Sequence, residues 1–140
     1  MNVVCDTNVL VSGFLFRGNA RTIIELVSKG QITGFISIPI VRELEDVLHR
    51  PKFHLSRQQV AALLELVQQT FHLVSPTKRI NAVSADPDDN AILEAGLAAA
   101  ADCIVSGDRH LLELSSFRSL RIVSPAQFLL EWPGRDLIDD

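Results

Sequence analysis

Four acidic side chains in this sequence of 140 residues stand where carboxylates can do chemistry. They are Asp6, Glu43, Asp89 and Asp108. Asp6 and Asp108 come just after short apolar runs that predict buried strands, whereas Glu43 and Asp89 fall in the first turns of predicted helices. Carboxylates that converge on one crevice repel one another, and a hard divalent cation such as Mg²⁺ or Mn²⁺ removes that cost. A cation held in this way can activate water and stabilise charge on a phosphodiester.

Asp89 is the most informative of the four acids. On a helix it shares a face with Ile92 and Leu93, which lie three and four residues further on. An unpaired carboxylate in such an apolar stripe would be energetically costly, so a partner is expected. Asp88 falls to one side of the stripe, and helical phase therefore favours Asp89 as the ligand, although a contact from Asp88 remains open.

Each acid also has an ordinary structural explanation. Asp6 can simply end a strand, and Asp108 can cap a helix. Asp89 can be a first-turn acid that the helix dipole favours. Their joint occurrence near strand ends favours one site over separate explanations.

The pattern of elements predicts where the acids meet. Short apolar strands alternate with helices, which is typical of an α/β fold with a buried, mostly parallel sheet. We expect a single three-layer domain with a central five-stranded sheet flanked by helices, with strands at residues 3–5, 35–38, 73–74, 103–105 and 120–123. Open sheets of this kind bind ligands beyond the carboxyl ends of their strands, where the strand order reverses.

Composition limits the possible functions. Hydrophobic residues make up 47% of the chain, which supports one well-packed domain over residues 1–133, followed by a loose acidic tail at 134–140. The net charge of −4 argues against binding to nucleic acid mainly by phosphate neutralisation. The apolar runs are too short to span a membrane and the start lacks a basic leader, so we expect a cytoplasmic protein that does not bind membranes. Cys5 and Cys103 are expected to be buried free thiols.

Short motifs along the chain resemble those of the PIN-domain ribonucleases. They are VVCDTNVL at residues 3–10, REL at 42–44, DPDDN at 86–90 and VSGD at 105–108. The match runs in order from residue 2 to about residue 130, and the ordered set is more specific than any single motif. Within that family, the chain is similar to the toxin component of a bacterial toxin–antitoxin pair.

The resemblance implies a set of roles. The catalytic and metal-binding acids would be Asp6, Glu43, Asp89 and Asp108, the last being the more variable contributor in the family. Asn8 and Ser106 would orient the site, with Ser106 standing where the family often has Thr. A Mg²⁺ or Mn²⁺ ion would activate water for in-line attack on RNA, leaving a 5′-phosphate.

The expected partners follow from the same resemblance and from the basic residues. Arg17, Arg21 and Arg109 are candidates for binding the RNA backbone, and the basic-aromatic turn at 50–54 is a weaker one. An antitoxin protein and a homodimer are also expected, the latter with a contribution from the helix at 56–72.

Other functions remain open at this point. A phosphatase or phosphoacceptor could use Asp6 as a nucleophile, but haloacid dehalogenase-like enzymes need Asp where this chain has Asn8. A general-base role for His110, a DNA or housekeeping RNA-processing nuclease, and a catalytically silent binding scaffold are the remaining alternatives.

Overall fold

The computed structural model describes residues 1–80 and 86–134. It is a three-layer α/β domain in which helices flank a sheet of six strands ordered β3-β2-β1-β4-β6-β5. The strands are β1 (Asn2–Cys5), β2 (Thr33–Ile36), β3 (His72–Leu73), β4 (Cys103–Val105), β5 (Ser116–Phe117) and β6 (Leu120–Val123). The helices are α1 (Thr7–Leu15), α2 (Asn19–Ser28), α3 (Ile38–Leu48), α4 (Arg57–Thr70), α5 (Pro87–Ala98), α6 (Arg109–Leu114) and α7 (Pro125–Glu131). The expected fold class is confirmed.

The order of the strands reverses between β1 and β4. From β1 the chain adds β2 and then β3 on one side, and β4 and β6 extend the sheet on the other, all in parallel. Cys5 pairs with Val105 at the last position of both strands. The residues that follow them, Asp6 and Ser106, are therefore brought together at the reversal point, where open α/β sheets bind ligands.

The sheet has one strand more than the sequence predicted. The additional strand, β5, pairs antiparallel with β6 and consists only of Ser116 and Phe117, too short to produce an alternating pattern. The second strand also begins earlier than expected, at Thr33, because Gly34 is a strand residue packed under Phe71. A Cβ at position 34 would lie 2.5 Å from Phe71 Cδ2, so glycine here serves close packing and not a turn.

Helix α3 begins where a strand was expected. Ser37, predicted to be in the second strand, is the N-cap of α3, and Ile38 is its first residue. Two other boundaries were also predicted inaccurately: β3 lies at His72–Leu73 and not at 73–74, and α4 ends at Thr70 and not at residue 72, because His72 pairs with Phe35 of β2. The start of α4 agrees with the sequence. Ser56 caps α4 through a reciprocal capping box with Gln59, and Cys5 and Cys103 are both buried free thiols, as predicted.

Helix α5 positions Asp89, the buried one of the two acids in its first turn, next to the sheet. Asp86 is its N-cap and Pro87 its first residue, and its buried face includes Asp89 and Gly96. A Cβ at Gly96 would lie 3.2 Å from Ile104 Cδ1, so glycine lets the helix lie close to β4. Close packing of α5 fixes Asp89 above the end of the sheet.

Within residues 1–80 and 86–134, no helix combines the length and the apolar character needed to cross a membrane. The expected acidic tail lies outside the described residues from position 135 onward.

Candidate metal centre

An acidic pocket lies at the carboxyl ends of the central strands. Its volume is about 80 Å³, and its lining consists of Asp6, Thr7, Asn8, Glu43, Asp86, Asp88, Asp89, Ile92 and Asp108. The structure therefore brings all four of the acids singled out in the sequence to one pocket, together with Asn8. Two further acids, Asp86 and Asp88, share it.

Asp6 is held rigidly by the chain around it. Its backbone amide donates to Val105 O at 3.0 Å and continues the pairing of β1 with β4. Its side chain caps α1 by accepting from Val9 N at 2.9 Å, and it also accepts a hydrogen bond from the Ser106 hydroxyl. The Ser106 oxygen in turn accepts from Asp108 N at 2.9 Å. One fully buried serine thus ties the acid after β1 to the acid after β4.

Asp108 has both of the roles considered for it. It is the N-cap of α6 and accepts from Leu111 N at 3.1 Å, and it still lines the acidic pocket. The ordinary structural explanation of this acid and its place in the pocket are therefore compatible, because capping engages one oxygen, Oδ1.

Glu43 is the sixth residue of α3 and so lies in its second turn, not in the first turn as predicted, because the helix begins at Ile38. The side chain is half-buried, and its Oε2 accepts from Thr7 Oγ1 at 2.7 Å. Thr7 is the first residue of α1, so this bond ties α3 to α1 across the pocket. Thr7 was not among the residues singled out in the sequence, since a threonine following Asp at a helix start has no distinctive pattern.

Asp89 lies deepest among the acids of α5. It is 7% exposed, and its Oδ2 atom is buried without a hydrogen-bond partner in the described part of the chain. Carboxylate oxygens of Asp86, Asp89 and Asp108 lie within 4.8 Å of one another. Asp88, which was predicted to lie to one side of the apolar stripe, is exposed and also lines the pocket. Asp86 was not predicted to belong to the site, because an aspartate before a helix is readily explained as an N-cap. In the structure it does cap α5, accepting from Asp88 N at 3.0 Å.

The electrostatics of the pocket favour protonation or cation binding. Burial and the neighbouring Asp108 and Asp86 charges raise the pKa of Asp89 to about 7. Burial also raises the pKa of Asp6, against the hydrogen bonds from Ser106 and Val9, which lower it. The pKa of Glu43 is raised mainly by burial, with the Thr7 bond opposing. All three shifts reflect negative charge held away from water without a compensating cation.

The donor set suits a hard divalent ion. Every charged group in the pocket lining is a carboxylate, and no lysine, arginine or histidine of the described residues lines it. Oxygen-only ligands are those preferred by Mg²⁺ and Mn²⁺. The buried Asp89 Oδ2 atom, which has no hydrogen-bond partner within residues 1–80 and 86–134, is available to bind such an ion. The residues present therefore fit a divalent metal centre.

The arginines proposed for RNA lie elsewhere. Arg17, Arg21 and Arg109 are exposed, and none lines the acidic pocket. Arg21 and Arg109 lie near acids of their own helices, at 3.5 Å from Glu25 and 3.6 Å from Glu113 respectively. His110 is exposed and also outside the lining, so nothing in the pocket geometry points to a general base there.

Comparison with known proteins agrees with this geometry. A PIN domain family model matches residues 2–110, a span that includes every acid of the pocket. No curated protein matches the chain. PIN domains are in general nucleases that bind divalent ions through acidic residues, and the acidic cluster here is of that kind. The chain belongs to the PIN-domain family.

Proposed function

We propose that this protein is a Mg²⁺- or Mn²⁺-dependent endoribonuclease that hydrolyses phosphodiester bonds at the acidic pocket. The observation that carries the proposal is the buried, unpartnered Oδ2 of Asp89 among carboxylates that no cation of the described chain neutralises. Such an arrangement costs stability in a protein without a ligand, and it becomes favourable once a divalent cation fills it.

The residues have separate tasks in this proposal. Asp89 and Asp108 would hold the ion from the start of α5 and the loop after β4, with Asp86 close enough to share it. Asp6 at the end of β1 and Glu43 on α3 would complete the set from the pocket lining. Ser106 and Thr7 position two of these acids through their hydroxyls. A bound divalent cation supplies Lewis-acid stabilisation of phosphate charge and lowers the pKa of a water.

RNA as the substrate, and a role as the toxin of a toxin–antitoxin pair, are supported by the resemblance of the motifs to that group. In this proposal an antitoxin protein restrains the nuclease, and two copies associate with a contribution from α4. Leu66 on α4 is 47% exposed, which gives that helix apolar surface to bury. Sedimentation at micromolar concentration tests the association, and a monomer would contradict it.

The test of the activity is cleavage of a single-stranded RNA by purified protein with Mg²⁺ or Mn²⁺. Chelator should stop the reaction, and the products should carry 5′-phosphate and 3′-hydroxyl ends, since the attacking water needs no 2′-hydroxyl. A DNA strand of the same sequence serves as the control for substrate class. Cleavage that continues in excess chelator, or mass spectra showing 2′,3′-cyclic phosphates, would refute the metal mechanism.

A further inference from the structure

A second, larger depression is lined by residues of the same two helices as the acidic pocket, α3 and α5, and differs from the pocket in chemistry. This groove has a volume of about 320 Å³ and is lined by Ile38 and Pro39 of α3, residues 74–79 and Glu94 of α5. It lies at the same edge of the sheet, because Val74 N donates to the carbonyl of Ile36, the last residue of β2.

The groove and the acidic pocket share the same two helices. Pro39 lines the groove and Glu43 lines the pocket, and these residues stand four apart on α3. Residues four apart on a helix lie on one face about 6 Å from each other. A chain bound at the pocket would therefore reach the groove within roughly one turn of α3.

The charges of the groove are complementary to phosphate. Lys78 and Arg79 line it, both are exposed, and neither has an ion-pair partner among the described residues. The groove's acid, Glu94, is engaged by Ile80 N at 2.8 Å, which anchors the segment that carries the two cations.

The amino end of α3 adds to this complementarity. Ile38, its first residue, lines the groove, and the N-cap Ser37 makes no capping hydrogen bond. The Ser37 side chain itself is buried and does not line the groove, so the contribution comes from the backbone of this helix end. An uncapped helix amino end carries partial positive charge and favours an anion beside it.

The walls of the groove also suit a base. Ile38, Pro39, Val74 and Pro76 give it an apolar side, and Ile38 is 41% exposed. Base faces are available for such contact in a single strand, where they are not stacked within a duplex. Cations beside an apolar wall match a nucleotide with its phosphate and its base.

We infer that this groove binds the nucleotides of a single-stranded nucleic acid that flank the scissile phosphate. The inference rests on the proposed nuclease function and adds to it the path of the substrate. Lys78 and Arg79 contact the phosphates, and the α3 side contacts a base. In this way a net-acidic protein binds a polyanion with two cations that lie near its metal ligands.

The test compares a double variant, Lys78→Gln with Arg79→Gln, with a matched control that also removes one lysine and one arginine. The control is Lys29→Gln with Arg57→Gln, at two exposed positions outside both depressions. Initial rates are measured on one single-stranded RNA, and on DNA of the same sequence, over a range of KCl concentrations. Thermal unfolding of all proteins verifies that each variant folds.

The groove variant should raise KM about tenfold and leave kcat close to wild type, because the metal ligands are untouched. The dependence of log(kcat/KM) on log[KCl] should become shallower by about 1.4, since each single-strand phosphate that the protein neutralises adds about 0.7 to that slope. The control should match wild type in both. A separate variant, Ile38→Glu, should fold because the amino end of a helix favours a negative charge. It should also raise KM, because that charge lies in the groove and repels phosphate.

The outcomes separate the two proposals. If wild type cleaves and the groove variant has the same KM and salt dependence as the control, the groove assignment is wrong and the nuclease function stands. If wild type cleaves neither RNA nor DNA with any divalent ion, the proposed function fails and the groove assignment fails with it.

Discussion

The parallel strands begin at one side of the sheet, the amino edge, and end at the other, the carboxyl edge. The two edges differ in how their charged side chains are compensated. At the amino edge, a cavity of about 160 Å³ has Arg121 and Glu131 in its lining, and they pair through two contacts of 2.6 and 3.2 Å. Asp102, in the same lining, accepts from Asn2 N at 2.8 Å. At the carboxyl edge, six acids line a pocket of about 80 Å³, with no basic side chain of the described chain among them.

The difference distinguishes an arrangement that is complete from one that needs a ligand. At the amino edge Arg121 and Glu131 neutralise each other as an ion pair, so the charges of that pair are explained by the fold. At the carboxyl edge, hydrogen bonds position the acids but no basic side chain within residues 1–80 and 86–134 lines the pocket to neutralise them. The raised pKa values of Asp6, Glu43 and Asp89 reflect that cost. A site that is destabilising until a cation arrives is expected of a metal centre, and variants at the two edges should respond differently.

The largest effect is expected from Asp89→Asn. Cleavage should fall by orders of magnitude because a metal ligand is lost, while the metal-free protein should become more stable, by about 0.5–2 kcal/mol, because repulsion is relieved. Mg²⁺ at about 100 times its Kd should stabilise wild type by about 2.7 kcal/mol and the variant by less. Thermal unfolding with and without Mg²⁺, together with a cleavage assay, measures both effects.

The matched control is Asp46→Asn, an exposed acid of α3 outside the pocket. It should change neither cleavage nor the response to Mg²⁺. If Asp89→Asn lowered metal-free stability and left cleavage intact, Asp89 would be a structural residue of the helix start and the assignment of the site would be wrong.

Ser106→Ala should have the next largest effect. The variant removes the bond to Asp6 and the acceptor for Asp108 N, so two ligands lose their positioning at once. Loss of such outer partners costs about 10–100-fold in metal affinity or activity. Ser106→Thr keeps the hydroxyl and should recover much of the loss. Calorimetric Mn²⁺ affinities equal in wild type and Ser106→Ala would show that the serine only fills space.

The pH dependence of metal-free stability should reveal the uncompensated acids. The pKa of Asp89 rises from its ordinary 3.8 to about 7 on folding, so the folded state binds the proton more tightly than the unfolded state. Its contribution is fully present below about pH 4 and is lost as the pH rises through about 7. Wild type should therefore lose stability over this range relative to Asp89→Asn, in chelator. Parallel stability curves for the two proteins would contradict the shift.

The smallest effect is expected at the amino edge. Glu131→Gln breaks an ion pair whose members are exposed, and such pairs contribute little because solvent screens them. Cleavage and the response to Mg²⁺ should match wild type, with at most a slight decrease in the unfolding midpoint. A large loss of activity would mean that the two edges are not functionally separate.

Much of the fold was predictable because apolar runs and helix caps are local signals. The central strands and the cap at Ser56 are examples. Local patterns missed Gly34, whose place in β2 depends on Phe71 far along the chain, and the two residues of β5, which are defined by pairing with β6. Both depend on contacts that a sequence window does not contain.

The site also contains residues that local sequence patterns reveal and residues that only the fold brings together. Asp89 could be singled out because an acid in an apolar helical stripe is a local anomaly, whereas Asp86 looks like an ordinary cap and only the fold puts it near Asp108. The arginines chosen for their nearness in sequence to the motifs do not line the pocket. Lys78 and Arg79, which line the groove, come after the short strand β3 and belong to none of the sequence motifs. Binding of RNA by the arginines near the motifs stays a prediction, and nearness in sequence to a motif did not place them in the pocket.

The central claim is that the acids at the carboxyl edge are held for a divalent cation. Binding of Mn²⁺ to the folded protein, followed by electron paramagnetic resonance near pH 8, where Asp89 is ionised, tests it most directly. Wild type and Asp46→Asn should bind the ion equally, and Asp89→Asn should bind it at least about tenfold more weakly. Equal binding by wild type and Asp89→Asn, or no binding by wild type, would contradict the account.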